Sequence, residues 1–432
     1  MNRVLLLVLL SALAGVPLPA QERVVTLEEA IRLAERTQPG VVQAQAGVRT
    51  ASAQRRNAWG AFLPSVNVGS SASEFFSEGA NRIDPITGLL ISGNTSNRSL
   101  STSINASLDL FTGFRRGAEL RAARAGEAEA DAALVDARFQ QALTTTNQFF
   151  DALAAAQLVG VREASVRRAE EQLKVSIAKL QAGSATRSDS LRSLVTLGSA
   201  RLDLIQSRTD LATAEAGLAR LVGEVGRVAA ADDSSFHQVV AVVDTQALRA
   251  VVDSQSPRVR TAVAGSNAAR ADVSAARSSY WPSLVLGAAT GWNASRANDY
   301  AFLNQRQVSL QLNWSLFNRF DRELTIAQRE AAYDLAQATA ADEHRAVQAE
   351  LTRRIAELDA ARSKIDITQT SVVAAREDLR VQQERYRLGV ATIVDVLTSQ
   401  EALDQAEVDV VTARFDYLRA RAQIEALIGR TL

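Results

Sequence analysis

The chain has 432 residues, 47% of them hydrophobic, no cysteine, two histidines, and 48 basic against 48 acidic side chains. The length allows a large core or several domains, while the lack of Cys excludes disulfides, thiol catalysis, cysteine-ligated metals and a lipid anchor on an N-terminal cysteine. Balanced charge gives no pull towards nucleic acid, and two histidines as far apart as His237 and His344 make a poor metal site.

Residues 1–20 have the form of an export signal. Arg3 precedes an apolar run from Val4 to Val16, followed by Pro17, Pro19 and Ala20. The run is too short to span a bilayer comfortably, and no later stretch has the roughly 18 consecutive apolar residues of a membrane helix. The mature chain is expected to be exported and not to cross a membrane as helices.

The remainder reads as two copies of one plan, 21–223 and 247–432, joined by a linker at 224–246. Gln38-Pro39 matches Ser256-Pro257, and Phe62 to Val66 matches Tyr280 to Leu284, at an offset of 218. Leu110-Phe111 matches Leu316-Phe317, Phe114 matches Phe320, Arg116 matches Arg322, and Leu221 to Gly223 matches Leu427 to Gly429, at an offset of 206. The difference of 12 falls where the first copy carries the polar, Gly-rich stretch SEGANRIDPITGLLISGNTSNR, a loop of the kind that accepts insertions. The period is far too long for a solenoid, so this is a duplicated domain.

Each copy begins with a helical stretch and continues into two strands, at about 62–74 and 100–112 in the first and about 282–293 and 306–317 in the second. From Leu100 to Leu110 the even positions are Leu, Thr, Ile, Ala, Leu and Leu, and the odd ones Ser, Ser, Asn, Ser and Asp. From Gln307 to Leu316 the even positions are Val, Leu, Leu, Trp and Leu, and the odd ones Gln, Ser, Gln, Asn and Ser. Such period-two patterning marks strands, and segments of about ten residues suit tilted strands crossing a bilayer. Phe62, Phe111, Phe114, Tyr280, Trp281, Phe317 and Phe320 stand at strand ends, where aromatic rings favour the water–lipid boundary. A water-soluble sandwich would also alternate, but the polar faces here are Ser and Asn rather than Lys and Glu.

Long helices follow at 115–181 and 322–388. Both are free of Pro and rich in good helix formers; each would span about 100 Å. Return helices run from 187 to 222 and from 393 to 428. Val166, Ala169, Leu173, Ile177 and Leu180 before the corner, and Leu191, Val195, Gly198, Leu202, Ile205, Thr209 and Ala212 after it, form a coiled-coil-like seam.

The corners themselves repeat. The nine residues from Gly183 and from Gly389 agree at five places: Gly, Ala, Thr, Asp and Leu. Gly ends a helix in the left-handed conformation without steric cost. Thr186 with Asp189, and Thr392 with Asp395, approximate capping boxes for the next helix. By this reading the motif needs no role beyond reversing the chain.

Geometry asks for more. Four membrane strands cannot close a barrel, for which about eight are needed, and open edges cannot remain in lipid. Several chains must share one barrel, which continues into a ring of helices whose far rim is made of the corners.

The exported N-terminus, the duplicated Pro-Ser strand starts and the paired corners, of which Tyr386-Arg387-Leu388-Gly389-Val390-Ala391-Thr392-Ile393-Val394-Asp395-Val396-Leu397 is the fuller, resemble the TolC family of outer-membrane efflux proteins. The resemblance runs from about Thr26 to the C-terminus. It implies a mixed α and β fold: a homotrimer in outer-membrane lipid with a twelve-stranded β-barrel shared between protomers, continuing into a twelve-helix periplasmic tunnel. It implies an exit duct of a tripartite efflux pump or type I secretion system, with a periplasmic adaptor and an inner-membrane efflux pump or ABC secretion transporter as partners and neither catalysis nor a cofactor. By the resemblance, Gly183, Ala185, Thr186, Gly389, Ala391 and Thr392 match the tips where adaptor hairpins dock. Asp395 matches an aspartate ringing the periplasmic constriction, and Tyr386 and Asp189 match a pair that holds the closed tips together. The chain departs from the pattern twice. Thr398 stands where the family's best-known member has a second aspartate, and Ala391 where it has an arginine, which implies a weaker or differently built latch. Three Asp395 carboxylates around a narrow pore would attract cations and raise one another's pKa.

Other classes account for less. An exported trimeric coiled-coil adhesin or structural surface protein predicts uninterrupted heptads, whereas strands recur in mid-chain here. A general porin predicts many strands and few long helices. For an enzyme there is no nucleotide loop, nucleophile motif or metal spacing. Asp232 to Ser235 reads as a turn, His237 as a surface residue in the linker, and His344, among Asp342, Glu343 and Arg345, as solvated.

Overall fold

The computed structural model describes residues 23–91, 95–237, 245–295 and 299–430; the segment 1–20, expected to be an export signal, lies outside them. Its elements in chain order are β1 (Arg23–Val25), α1 (Leu27–Thr37), α2 (Pro39–Gly60), β2 (Ser65–Ser77), β3 (Arg82–Ile83), β4 (Leu90–Ile91), β5 (Thr95–Phe111), α3 (Arg115–Gln181), α4 (Arg187–Val222), β6 (Val228–Ala230), α5 (Thr245–Gln255), α6 (Pro257–Arg277), β7 (Ser283–Ser295), β8 (Leu303–Asn313), α7 (Asp321–Arg387) and α8 (Ile393–Ile428). Short 3-10 turns occupy 234–237 and 278–280. In each copy the first helical stretch is broken at Gln38-Pro39 or Ser256-Pro257, because proline disfavours a helical residue before it and is itself at home in a first turn. Helices α3 and α7 have 67 residues each and α4 and α8 have 36 each. Both pairs start 206 residues apart, so the duplication seen in single residues extends to whole elements.

The residues group into two compact units, one of 1–46, 133–260 and 343–432, the other of 47–132 and 261–342. The second unit contains an antiparallel sheet in the order β2-β5-β7-β8. Its register sets Val68 opposite Ile104, Ile104 opposite Thr290 and Thr290 opposite Arg306. All even-numbered residues therefore share one face, and the odd-numbered ones share the other up to the irregularity between Asp109 and Phe111. The even face carries Val66, Val68, Ile104, Leu108, Leu286, Val308, Leu310 and Leu312; its charged residues, Glu74 paired with Arg98 at 2.6 Å and Arg306, stand within three residues of strand ends 77, 95 and 303. The odd face is mostly Ser, Asn, Gln and Gly, stitched by hydroxyl pairs such as Ser65–Ser107 at 2.7 Å and Ser71–Ser101 and Ser73–Ser99 at 2.8 Å.

Strand limits differ from the sequence reading. The first strand, expected at 62–74, runs from Ser65 to Ser77, because Phe62 and Leu63 close a turn on Trp59 and Gly60. The second begins at Thr95 rather than 100, since the polar residues 95–98 pair with 74–77. The third, expected at 282–293, spans Ser283 to Ser295. The fourth, expected at 306–317, spans Leu303 to Asn313; Trp314 has left the ladder and its indole N–H donates to the Tyr280 carbonyl at 3.3 Å. Within the Gly-rich insertion, β3 pairs with β4.

Both strand-to-helix junctions use the same device. Phe114 and Phe320 are left-handed, following a left-handed Gly113 or Arg319. Gly113 has no alternative, since a Cβ there would lie 2.6 Å from Trp281 Cβ. Arg116 donates to the carbonyls of Ala61 and Leu110 and lies over the Phe62 ring at 4.9 Å. Arg322 donates to Ser315 O and lies over Tyr280 at 4.0 Å.

The first unit is helical, with a core of Phe149, Phe150, Leu218, Val252, Val347, Leu351, Phe415, Ile424 and Ile428. Phe236 closes it with edge-on contacts to Phe149 and Phe150 at 6.1 and 5.4 Å. Strand β6 pairs in parallel with β1 inside what the sequence suggested was a bare linker. Asp233 accepts from Phe236 N, closing the turn read there, and His344 Nε2 lies 3.1 Å from Asp253. The side chain of His237, read as a surface residue, lies outside the described ones.

The predicted seam needs correction. Val166, Ala169 and Leu173 do pack against α4, but on Leu197 and Ala200. Leu191, Val195, Leu202 and Ile205 are exposed, as is Ile177. The α4 face turned to α3 includes buried Ser193 and Ser207, whose small size admits close approach, so the larger aliphatic stripe remains on the outside of the pair.

Candidate gate and docking corners

Each corner is built by backbone geometry first. Gly183 (φ +73°) and Gly389 (φ +81°) are left-handed. Gly183 N donates to Leu180 O at 3.0 Å and Ser184 N to Lys179 O at 2.9 Å; Gly389 N and Val390 N repeat this with Tyr386 O and Arg385 O at 3.1 and 2.9 Å. These paired bonds form the Schellman closure that satisfies the last carbonyls of a helix.

The next helices start on reciprocal capping boxes. Thr186 accepts from Asp189 N and Asp189 accepts from Thr186 N; Thr392 and Asp395 do the same. Asp395 Oδ2 also accepts from the Thr392 hydroxyl at 2.8 Å. The Thr392 backbone N–H, and then its hydroxyl, hold the Asp395 carboxyl below the usual carboxylate range. Within one chain Asp395 is thus ionised, exposed and fixed in direction.

Beneath this shared frame the corners differ. The second has an apolar core of Leu379, Tyr386, Ile393, Val396 and Leu403, against which Ala391 packs. The first has Leu180, Arg187 and Ser190 where the second has Tyr386, Ile393 and Val396. Leu388, Val390 and Val394 stand exposed on the second corner.

Tyr386 is only 6% exposed, and its hydroxyl is buried with no hydrogen-bond partner. Its expected pairing with Asp189 is therefore not made within the chain, where Asp189 is occupied by its own cap. Tyr386 meets Lys179 instead. The ammonium lies 4.4 Å from the ring centroid and donates to the Tyr386 carbonyl. Sequence reasoning missed Lys179, although a signal exists. It is one of three lysines in the chain, and Arg385 occupies the matching place four residues before the other glycine.

Further from the corners, the two copies are tied by a polar cluster. Arg168 on α3 donates to Asp404 at 2.5 Å and Glu407 at 2.8 Å on α8, and the Ser165 hydroxyl donates to Asp404 at 2.5 Å. Burial pulls the Arg168 pKa down, but the two carboxylates outweigh it and leave the guanidinium above its ordinary value. Among the described residues no His, Cys, Asp or Glu cluster could hold a metal, and no helix is long and apolar enough to cross a membrane.

A four-stranded sheet with one aliphatic face, capped by aromatics and repeated with long helices and glycine corners, is the fold of an outer-membrane channel subunit. The structure is similar to that of the outer membrane protein VceC from Vibrio cholerae, with a TM-score of 0.76 over 94% of this chain and 96% of that one at 19% identity. Residues 30–224 and 250–430 match the outer membrane efflux protein family, and the chain belongs to it. It is accordingly an outer-membrane protein with its helical part in the periplasm. It is 25% identical over 397 residues to the pyoverdine export outer membrane protein OpmQ of Pseudomonas aeruginosa, covering 89% of this chain and 81% of OpmQ. It is also 25% identical over 318 residues to the alkaline protease secretion protein AprF of the same organism, covering 69% of this chain and 64% of AprF.

Proposed function

We propose that three copies of this chain join their sheets into one twelve-stranded barrel and their helices into one periplasmic tunnel. The observation that carries this reading is the sheet β2-β5-β7-β8, which is mostly apolar on one face, mostly hydroxyl- and amide-lined on the other, and open at both edges. Strand edges cannot stay unpaired in hydrocarbon, and laying β8 of one copy on β2 of the next leaves none.

The assembly is the exit duct of a tripartite efflux pump or a type I secretion system. Cargo arrives from a periplasmic adaptor and an inner-membrane efflux pump or ABC secretion transporter. The duct performs no catalysis, and the partner supplies the energy. OpmQ is named for pyoverdine export and AprF for alkaline protease secretion, so the names of relatives of this chain cover both kinds of cargo. The corners at Gly183, Ala185, Thr186 and Gly389, Ala391, Thr392 receive the adaptor, Asp395 lines the constriction, and Tyr386 and Asp189 belong to the gate.

The test is mass and export. Protein purified in detergent should have three times the chain mass, and a monomer that stays dissolved without detergent would refute the reading. Gly389→Pro, which cannot adopt the positive φ observed there, should abolish adaptor-dependent export while the trimer still forms.

A further inference from the structure

The helices leave the sheet from the ends near residues 65, 111, 283 and 313, so strand ends 77, 95, 295 and 303 point to the exterior. On the odd face, the two edge strands β2 and β8 carry only Ser, Asn, Gln and Gly, with two exceptions. These are Phe75, two residues from the outer end of β2, and Leu303, at the outer end of β8. They are 66% and 54% exposed, and they stand on opposite edges of the sheet.

More apolar surface lies beside each. Beyond β2 comes the β3–β4 hairpin, held by Gly88 N on Asp84 O, by Asp84 N on Leu89 O, and by the Asp84 carboxylate accepting from Ile86 N, all at 2.9 Å. It presents Ile83, Ile86, Leu89 and Leu90 to solvent, Ile86 at 92% exposure. Phe302, also exposed, precedes β8. A hairpin this well bonded that shows four aliphatic side chains is an interaction surface.

Strand β2 runs outward and β8 inward. When β8 of one copy pairs antiparallel with β2 of the next, Phe75 and its hairpin come to lie beside Phe302 and Leu303 of the neighbouring copy. We propose that the β3–β4 hairpin and Phe75 clasp Phe302 and Leu303 of the adjacent copy, locking the subunit seam at the outer mouth. The occupant is a second copy of this chain, because the two patches flank the edges that must meet. The inference rests on the trimeric reading above. It also gives the extra residues in the first copy a purpose: they furnish one partner of the contact, while the second copy's shorter loop furnishes the other.

The full chain has no cysteine, so paired cysteines report cleanly. Phe75→Cys combined with Leu303→Cys is treated in detergent with a short bifunctional maleimide and boiled in SDS. Covalent dimers and trimers are expected, with monomer only from either single variant. Boiled monomer from a double variant that still runs as a trimer unboiled would overturn the clasp and leave the trimer standing. An unboiled monomer would strike both. Ile86→Ser with Leu89→Ser, which alters no barrel strand, should lower the temperature at which the SDS-resistant trimer dissociates; an unchanged temperature removes the hairpin from the contact. Ile86→Cys carrying an environment-sensitive dye in vesicles should resist a lipid-borne quencher, and strong quenching would name lipid, not a second copy, as the cover.

Discussion

Thr392 and Asp395 show how one side chain can answer to two demands. The carboxylate caps a helix by accepting from Thr392, and in the proposed assembly it also faces two copies of itself. The cap lowers its pKa and a ring of like charges raises it. For the cap alone, a folded-state pKa below the unfolded one means stabilisation that is present at neutral pH. It is lost as pH falls below the ordinary carboxylate value and through the lowered one. Thr392→Ala should cost about 1 kcal/mol, read as a shift in the unfolding midpoint that shrinks in acid. Asp395→Asn keeps a side chain able to cap while losing the charge, so in planar bilayers it should reduce cation selectivity and divalent-cation block as much as Asp395→Ala does. Unchanged block in both would remove Asp395 from the constriction. Matching residues made this much legible: Gly183 and Gly389, Thr186 and Thr392, and Arg116 and Arg322 make in space the paired contacts their offsets announced. Lys179 was harder to see, because its partner is 207 residues away and a lone lysine on a charged helix looks solvated.

Between helices, the cluster of Arg168, Asp404, Glu407 and Ser165 ties the first copy to the second. Its side chains are largely withdrawn from water, at 22%, 17% and 15% exposure for the three charged groups. Arg168→Met would leave Asp404 with no cation and Glu407 with only the more exposed Arg376, 3.3 Å away, and should destabilise by about 2–4 kcal/mol, read as a fall in the thermal midpoint. Replacing Asp404 and Glu407 by Leu and Met as well should recover part of the loss, since an apolar contact of similar volume carries no desolvation penalty. No periodicity reveals such a cluster, whose members are paired only once the fold exists. The α4 stripe shows the complementary difficulty. Leu191, Val195, Leu202 and Ile205 have the spacing of a seam, and spacing says that a face is apolar without saying which neighbour covers it. Inside the chain the covered face is the one with Ser193, Leu197 and Ala200. The strands were legible from Leu100 to Leu110 because alternation is strict there; their outer ends were not, because residues 95–98 are polar on both faces and only the register with 74–77 makes them strand.

For the molecule as a whole, the decisive question is what lies against the even face of the sheet. Ile104 and Asn105 are neighbours on β5, an inner strand, and point to opposite sides. Ile104 sits opposite Val68 and Thr290, Asn105 opposite Asn67 and Ala289. If the even face meets hydrocarbon, a lysine at 104 near mid-membrane should cost about 2–4 kcal/mol, whereas one at 105 meets water. Ile104→Lys should then sharply reduce the trimer recovered from outer membranes, while Asn105→Lys should assemble and shift the channel towards anions. A soluble sandwich would also reject Ile104→Lys, so a third variant separates the two cases. Ile104→Trp overpacks a closed protein core, at a cost of about 1–3 kcal/mol, but against fluid lipid the ring has nothing fixed to displace. Near-normal trimer from Ile104→Trp together with loss from Ile104→Lys is the expected pattern. Loss from both would place the even face against protein, and the shared barrel would have to be abandoned.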